Sequence, residues 1–213
     1  ANEAFLDTAS VRSSVVSHAK TLGYIPNSVR APIAFVNVTL NNIGNLTSAT
    51  IPVGTVFTTV IDDVNYQFVT VAEHSTQIEN GVISFTNLPI YEGTYVTNRY
   101  TVDVDNVDQK FYVNDENGDT TTLIVDVFDN SSSTSSTTFT LATDTTQTAS
   151  DSNVYFLQES VDGKFEIYFG DGIIGKALSD GNVVRMRYVV TNKTRANGAS
   201  SFSTSATISG ITN

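Results

Sequence analysis

At 213 residues the chain has room for one large or two small domains, each with its own core. Its 22 acidic and 11 basic residues give a formal net charge of −11, which repels phosphate backbones and anionic membranes, so neither nucleic acid nor membrane is expected as a partner. With no cysteine, the sequence excludes disulfides, cysteine-based zinc sites and thiol chemistry. No apolar run approaches the length of a transmembrane helix, and no leader peptide is visible. The single methionine, Met186, lies deep in the chain, so the sequence is expected to be a fragment or a processed product.

The first element reads as an amphipathic helix over residues 8–22, with Val11, Val15, Ala19 and Leu22 on one stripe. Asp7 or Thr8 is suited to cap its start, and Gly23 then Pro26 to stop it. After Pro32 the period changes to that of a strand. Ala34, Val36, Val38 and Leu40 are expected on one face, with Phe35, Asn37 and Thr39 on the other.

Strand signals then recur at short spacing. Thr55–Ile61 and Tyr66–Ala72 read as a hairpin around Asp62-Asp63-Val64-Asn65, and Val82–Thr86, Thr94–Val104, Lys110–Val113 and Thr121–Phe128 follow. Val154–Glu159 and Lys164–Phe169 flank Asp162-Gly163, a pair suited to a two-residue hairpin turn, and Val183–Val190 closes the series. Between residues 131 and 152, 15 of 22 positions are Ser or Thr. This stretch reads as a surface excursion, with Phe139 and Leu141 marking a short edge strand, or alternatively as a flexible linker. The polar tail from Ala199 is expected to order only within an assembly.

The fold class implied is α+β and mostly β: an N-terminal amphipathic helix followed by two small antiparallel β domains. The expected divisions are 1–33 for the helix and connector, 34–97 for the first β domain and 98–213 for the second.

The motif most open to a chemical reading is Gly170-Asp171-Gly172-Ile173-Ile174-Gly175-Lys176-Ala177. It fits the G-x-G-x-x-G spacing of a dinucleotide turn and follows an expected strand, and it also fits G-x-x-x-x-G-K. Both motifs act by aiming a helix N-terminus at phosphate. Only Ala177–Asp180 separate Lys176 from Gly181, which leaves no room for that helix, and Asp171 adds negative charge to the cradle. Ala177 also replaces the Ser or Thr that would hold magnesium. The turn therefore reads as a tight, architectural connection between two strands.

Asp115, Asn117 and Asp119 have the alternate spacing that opens a calcium loop, but Thr120 stands where that loop needs glycine and no Glu follows at its twelfth position. His18 and His74 belong to no metal-ligand pair, and no G-x-S-x-G nucleophile turn is present. No catalytic, cofactor-binding or metal-binding residue is expected. Arg185 and Arg187 form the only tight basic pair and read as a salt-bridged strand face.

Several phrases carry a resemblance when taken together. Leu22-Gly23-Tyr24, Ala31-Pro32 and Ala34 lead into Ile51-Pro52-Val53-Gly54-Thr55 and Phe68-Val69-Thr70. Later come Val154-Tyr155-Phe156-Leu157 with Glu159, Phe169-Gly170-Asp171-Gly172 with Gly175-Lys176, Gly181-Asn182, Tyr188 and Ala196-Asn197-Gly198. The series resembles the baseplate wedge proteins of T-even-type contractile phage tails, which are related to the J-like baseplate assembly proteins.

The resemblance implies a non-enzymatic subunit of the virion's tail baseplate, assembled in the host cytoplasm. Its implied partners are further copies of itself, in dimeric contacts within a ring, and other wedge proteins. Gly23, Pro32, Pro52, Gly54, Phe169, Gly181, Asn197 and Gly198 are then fold determinants, with Gly170 and Gly172 supplying unusual backbone angles. The alternatives are a β-sandwich adhesin or carbohydrate-binding module, calcium-assisted or not, and an enzyme holding nucleotide at residues 170–176. The lack of tryptophan weakens sugar stacking.

Overall fold

The computed structural model describes residues 3, 5, 7–21, 27–143, 148–160 and 163–211. Among these the chain is mostly β, with one α-helix (α1, Arg12–Thr21) and thirteen strands. It divides into two compact units, each assembled from separated stretches. One unit takes residues 1–28 and 97–187; the other takes 29–96 and 188–213. The expected boundary at 97/98 lies one residue from an observed one, but the three expected segments do not map onto the units in sequence. Residues 1–28 are grouped with 97–187, and 188–213 with 29–96.

The unit formed by 29–96 and 188–213 holds β1 (Ile33–Leu40), β2 (Ser48–Ile51), β3 (Val56–Ile61), β4 (Val64–Val69), β5 (His74–Gln77) and β6 (Ile83–Glu92). A four-stranded antiparallel sheet runs in the order β1-β6-β4-β3, while β2 and β5 form a separate pair. Period-two patterning sets the buried face. In β1, Val38 and Leu40 are buried, whereas Phe35, Asn37 and Thr39 are exposed. Ile51, Phe57, Phe68, Ile83, Leu88 and Ile90 complete most of the core.

Two non-glycine turns hold this sheet in register. Asp62 and Asp63 both have positive φ, 49° and 62°, in a two-residue loop closing Ile61↔Val64, the geometry whose twist matches a hairpin. The sequence reading began the second strand of this hairpin at Tyr66, two residues late. Asn87, at φ 56°, sits at a bulge opposite Asn37, whose Oδ1 accepts its N–H at 2.9 Å. That bulge carries β6 to Glu92, past Thr86, where the strand was expected to end. The strands β2 and β5 were not foreseen, because they are short and rich in Ser and Thr.

The tail is ordered within the chain itself, contrary to expectation. Ala196 and Ile208 lie in the core, and Phe202 meets Phe68 edge to face at 4.9 Å. Ser203 bridges to Thr58 of β3. Its apolar residues are few, but spacing brings each one inward.

The unit formed by 1–28 and 97–187 contains α1 and strands of a seven-stranded sheet. These are β7 (Thr94–Thr101), β8 (Phe111–Val113), β9 (Gly118–Phe128), β10 (Thr137–Leu141), β11 (Val154–Glu159), β12 (Phe165–Phe169) and β13 (Val183–Val190), in the order β7-β13-β9-β10-β11-β12-β8. The unit boundaries fall inside β7 and β13. β10, expected as an edge strand or a linker, is an inner strand, antiparallel to β9 and parallel to β11. Phe139 is the reason: it is 3% exposed and anchors the Ser/Thr-rich stretch.

An edge-to-face series runs from Phe139 through Phe169 and Phe111 to Tyr100, with ring centroids 5.5–5.6 Å apart. The Tyr100 hydroxyl donates to the Tyr112 carbonyl at 2.9 Å, so the two edge strands, β7 and β8, approach each other. The expected turn residue Asp162, and Leu22, Gly23, Tyr24 and Pro26, lie outside the described residues.

Helix α1 begins later than its sequence suggests, and neither Asp7 nor Thr8 caps it. Glu3 takes that role: one carboxylate oxygen accepts the N–H and hydroxyl of Ser10 at 3.1 and 2.8 Å, and the other accepts the Val11 N–H at 3.2 Å. These bonds, the Ser10 hydroxyl's first, hold the Glu3 carboxyl down at about 2. Among the helix residues whose burial is described, Val16 is the buried one, while Val11, just before the helix, is 52% exposed. A bidentate pair from Arg12 to Glu159, at 2.9 and 2.8 Å, fastens the helix to β11.

The expected salt-bridged strand face is also present. Asp126 on β9 accepts from the Thr138 hydroxyl at 2.8 Å, from Arg185 at 2.9 and 3.2 Å and from Arg187 at 2.7 Å. Burial alone would raise its carboxyl, but the Thr138 hydroxyl and the two guanidinium groups outweigh burial and lower it. A lowered carboxyl contributes stability that is complete above its ordinary value of 3.8 and is lost as pH falls through the lowered one. Thermal melts in acid should therefore fall more steeply for the native chain than for Asp126→Asn. Parallel pH profiles for the two would remove this role.

Candidate functional site

The glycine-rich turn leaves β12 at Phe169 and is followed by irregular chain until β13 begins at Val183. No helix follows Lys176, so the element that would aim amides at a phosphate is missing. The turn connects β12 to β13, but these two strands are not neighbours and form no hairpin. β9, β10 and β11 lie between β12 and β13 in the sheet.

Five of its amides are bonded, some within the turn and some to residues 149 and 152. Asp171 Oδ1 accepts the N–H groups of Ile173 and Ile174 at 2.9 and 3.0 Å, and these bonds, Ile174 first, lower its carboxyl. Gly172 N–H donates to the Gly175 carbonyl at 3.0 Å, Gly175 N–H to the Ala149 carbonyl at 3.0 Å, and Lys176 N–H to the Ser152 carbonyl at 2.9 Å. Amides that a phosphate loop would keep for its ligand are thus already engaged.

The glycines serve different needs. Gly172 and Gly175 have φ of 85° and 81°, in the left-handed region. Gly170 has no positive φ, which corrects the expectation of an unusual angle there. A Cβ on Gly170 would instead collide with the Gly175 carbonyl, so close backbone approach requires glycine.

Two separated phrases of the sequence converge in the other unit. The Pro52 carbonyl accepts the hydroxyls of Thr55 and Thr70 at 2.8 and 2.7 Å, and Thr55 N–H donates to Thr70 Oγ1 at 3.0 Å. Gly54, at φ 81°, donates its N–H to the Thr70 carbonyl at 2.8 Å. Pro32 accepts the Glu92 N–H through its carbonyl at 2.9 Å. In the unit formed by 1–28 and 97–187, Gly181, at φ 77°, donates its N–H to the Val102 carbonyl at 2.9 Å and the Val102 N–H donates to the Asn182 carbonyl at 2.8 Å, while Phe169 joins the aromatic series. Asn197 and Gly198 end a 3-10 turn at Lys193–Ala196, with Gly198 at φ 97°.

The sequence reading missed Glu92, which is 0% exposed. Its oxygens accept from the Thr191 hydroxyl at 2.6 Å and from the backbone and side-chain nitrogens of Asn192 at 2.9 and 2.8 Å. Thr191 and Asn192 lie about a hundred residues later in the chain, so no local pattern could announce the pairing.

The acidic turn shows no cation arrangement. Asp115 Oδ1 is spent on the Asn117 N–H at 2.8 Å, and Asp119 Oδ1 on the N–H and hydroxyl of Thr121 at 2.9 and 2.6 Å. Among the described residues, no three His, Asp or Glu side chains are placed to hold a metal. His18 lies 2.9 Å from the Glu3 carbonyl through Nε2, and His74 lies on β5.

Residues 95–199 match the family described as bacteriophage baseplate wedge protein gp6, third domain. The match supports a baseplate wedge protein. The chain is also 28% identical, over 239 aligned positions, to baseplate wedge protein gp6 of Enterobacteria phage T4. That alignment covers 99% of this chain and 33% of the T4 protein, so the chain spans about a third of its curated relative. The gp6 third-domain match includes the turn at 170–175, Glu159 and Asp126, and it ends just beyond Gly198.

Proposed function

We propose that the chain is a structural segment of a contractile-tail baseplate wedge subunit, working by association with copies of itself and with other wedge proteins, without catalysis. The observation that carries this reading is the gp6 third-domain match over 95–199, alongside the T4 gp6 alignment over 99% of the chain. The turn at 170–175 fits an architectural role: its amides are internally bonded and its glycines answer backbone demands. The family-matching residues Pro32, Pro52, Gly54, Phe169, Gly181, Asn197 and Gly198 are assigned the same kind of role, as determinants of fold. Its place is the tail baseplate of the virion, with dimeric contacts inside a ring.

The test is co-expression of the full-length protein with the other wedge proteins of its phage, followed by affinity capture and light scattering. The expected result is a stable complex together with self-association. A monomer that captures none of those proteins would overturn the proposal.

A further inference from the structure

Where β8 ends, the edge of β12 opens into a groove of about 400 Å³. Pairing of β12 with β8 stops at Ile167↔Phe111, whereas its pairing with β11 continues to Phe169↔Tyr155. Tyr168, Phe169 and Gly170 line the groove, and Tyr168 and Phe169 have a strand neighbour on one side only. Phe111, Phe169 and Leu178 supply an apolar lining. The missing strand lane and the apolar lining therefore coincide.

The rim is acidic. Asp103 lines the groove, Asp105 and Asp108 lie exposed on the same loop, and Asp180 accepts the Val104 N–H at 3.3 Å. Lys110 is the lining's one cation among the described residues, and its ammonium lies 3.3 Å from Glu166. The other Glu166 oxygen accepts from Gln158 at 2.5 Å. With Lys110 committed to Glu166, Asp103 in the lining and Asp105, Asp108 and Asp180 on the adjoining chain give the neighbourhood of the groove an excess of negative charge.

We infer that this groove binds an extended, basic segment of a different protein. The segment adds as a strand along Tyr168–Gly170, in the lane that β8 vacates. Main-chain bonds supply affinity in this mode, and side-chain pockets supply selection. An apolar side chain of the segment rests against Phe111 and Phe169, and a lysine or arginine lies beside Asp103. A second copy of this chain is a poor occupant, because its net charge of −11 repels the same rim. The inference deepens the baseplate reading by giving one partner a chemistry. Peptide binding is measured on this chain alone, so either idea can fail without the other.

The test is an NMR titration of the ¹⁵N-labelled chain with acetyl-Lys-Val-Lys-Leu-Lys-amide, and with the same peptide carrying Glu for Lys. The basic peptide should shift the amides of 109–111 and 168–170 saturably, with affinity falling roughly tenfold between low and high salt. The acidic peptide should leave them in place. Asp103→Lys with Asp108→Lys should weaken the basic peptide by about tenfold, while distant amides keep their positions. Absent or scattered shifts, equal binding of the two peptides, or native-like binding by the double variant would overturn the inference.

Discussion

Gly170→Ala should lower stability by about 3 kcal/mol, more than the same change at Gly172. A methyl group on Gly170 meets the carbonyl of Gly175, a backbone atom fixed by bonds at both neighbouring amides. It cannot swing aside as a side chain would. At Gly172 the added carbon finds only Ala177 Cβ, at 3.9 Å, so the cost there is that of a φ of 85°, about 1 kcal/mol. Gly172→Val adds β-branching to that conformation and should cost somewhat more, about 2 kcal/mol. Denaturant unfolding of the three variants reads the order directly. Equal losses at the two positions, or none, would contradict the division of roles between close approach and positive φ.

The second large effect is expected at Glu92. Replacing it with Leu leaves the Thr191 hydroxyl and both Asn192 nitrogens without their acceptor, beside a position that is 0% exposed. Each stranded donor costs about 1–3 kcal/mol, so a loss of about 4 kcal/mol is expected. Glu92→Gln keeps one acceptor oxygen but turns an amide toward donors, and about half that loss should follow. Thermal or urea unfolding separates these cases. A Leu variant as stable as the native chain would show that the three bonds contribute nothing net.

What could be seen in the sequence was what local patterning controls. The alternation in 34–40 placed Val38 and Leu40 inward because one buried face must repeat every second residue. The expected strands at 154–159 and 183–190 match β11 and β13 for the same reason. Patterning failed where a single residue or a distant partner decides. Phe139 alone draws a polar stretch into the sheet, and Glu3 moves the helix start by capturing Ser10 and Val11.

Charge and spacing were enough to doubt a phosphate loop, since the missing helix is visible as a missing length of chain. They did not separate the needs of Gly170 and Gly172, because close approach depends on how the chain folds back. Glu92 was invisible for the same cause: its partners lie across the whole intervening unit in sequence.

The division of the chain has a consequence for biosynthesis. The unit begun at residue 29 takes Ala196, Phe202 and Ile208 into or against its core, so that core remains incomplete until these residues have left the ribosome. Its early strands must wait, half-built, while the intervening residues 97–187 are translated. Any surface that depends on this core is therefore complete only once synthesis has passed residue 208.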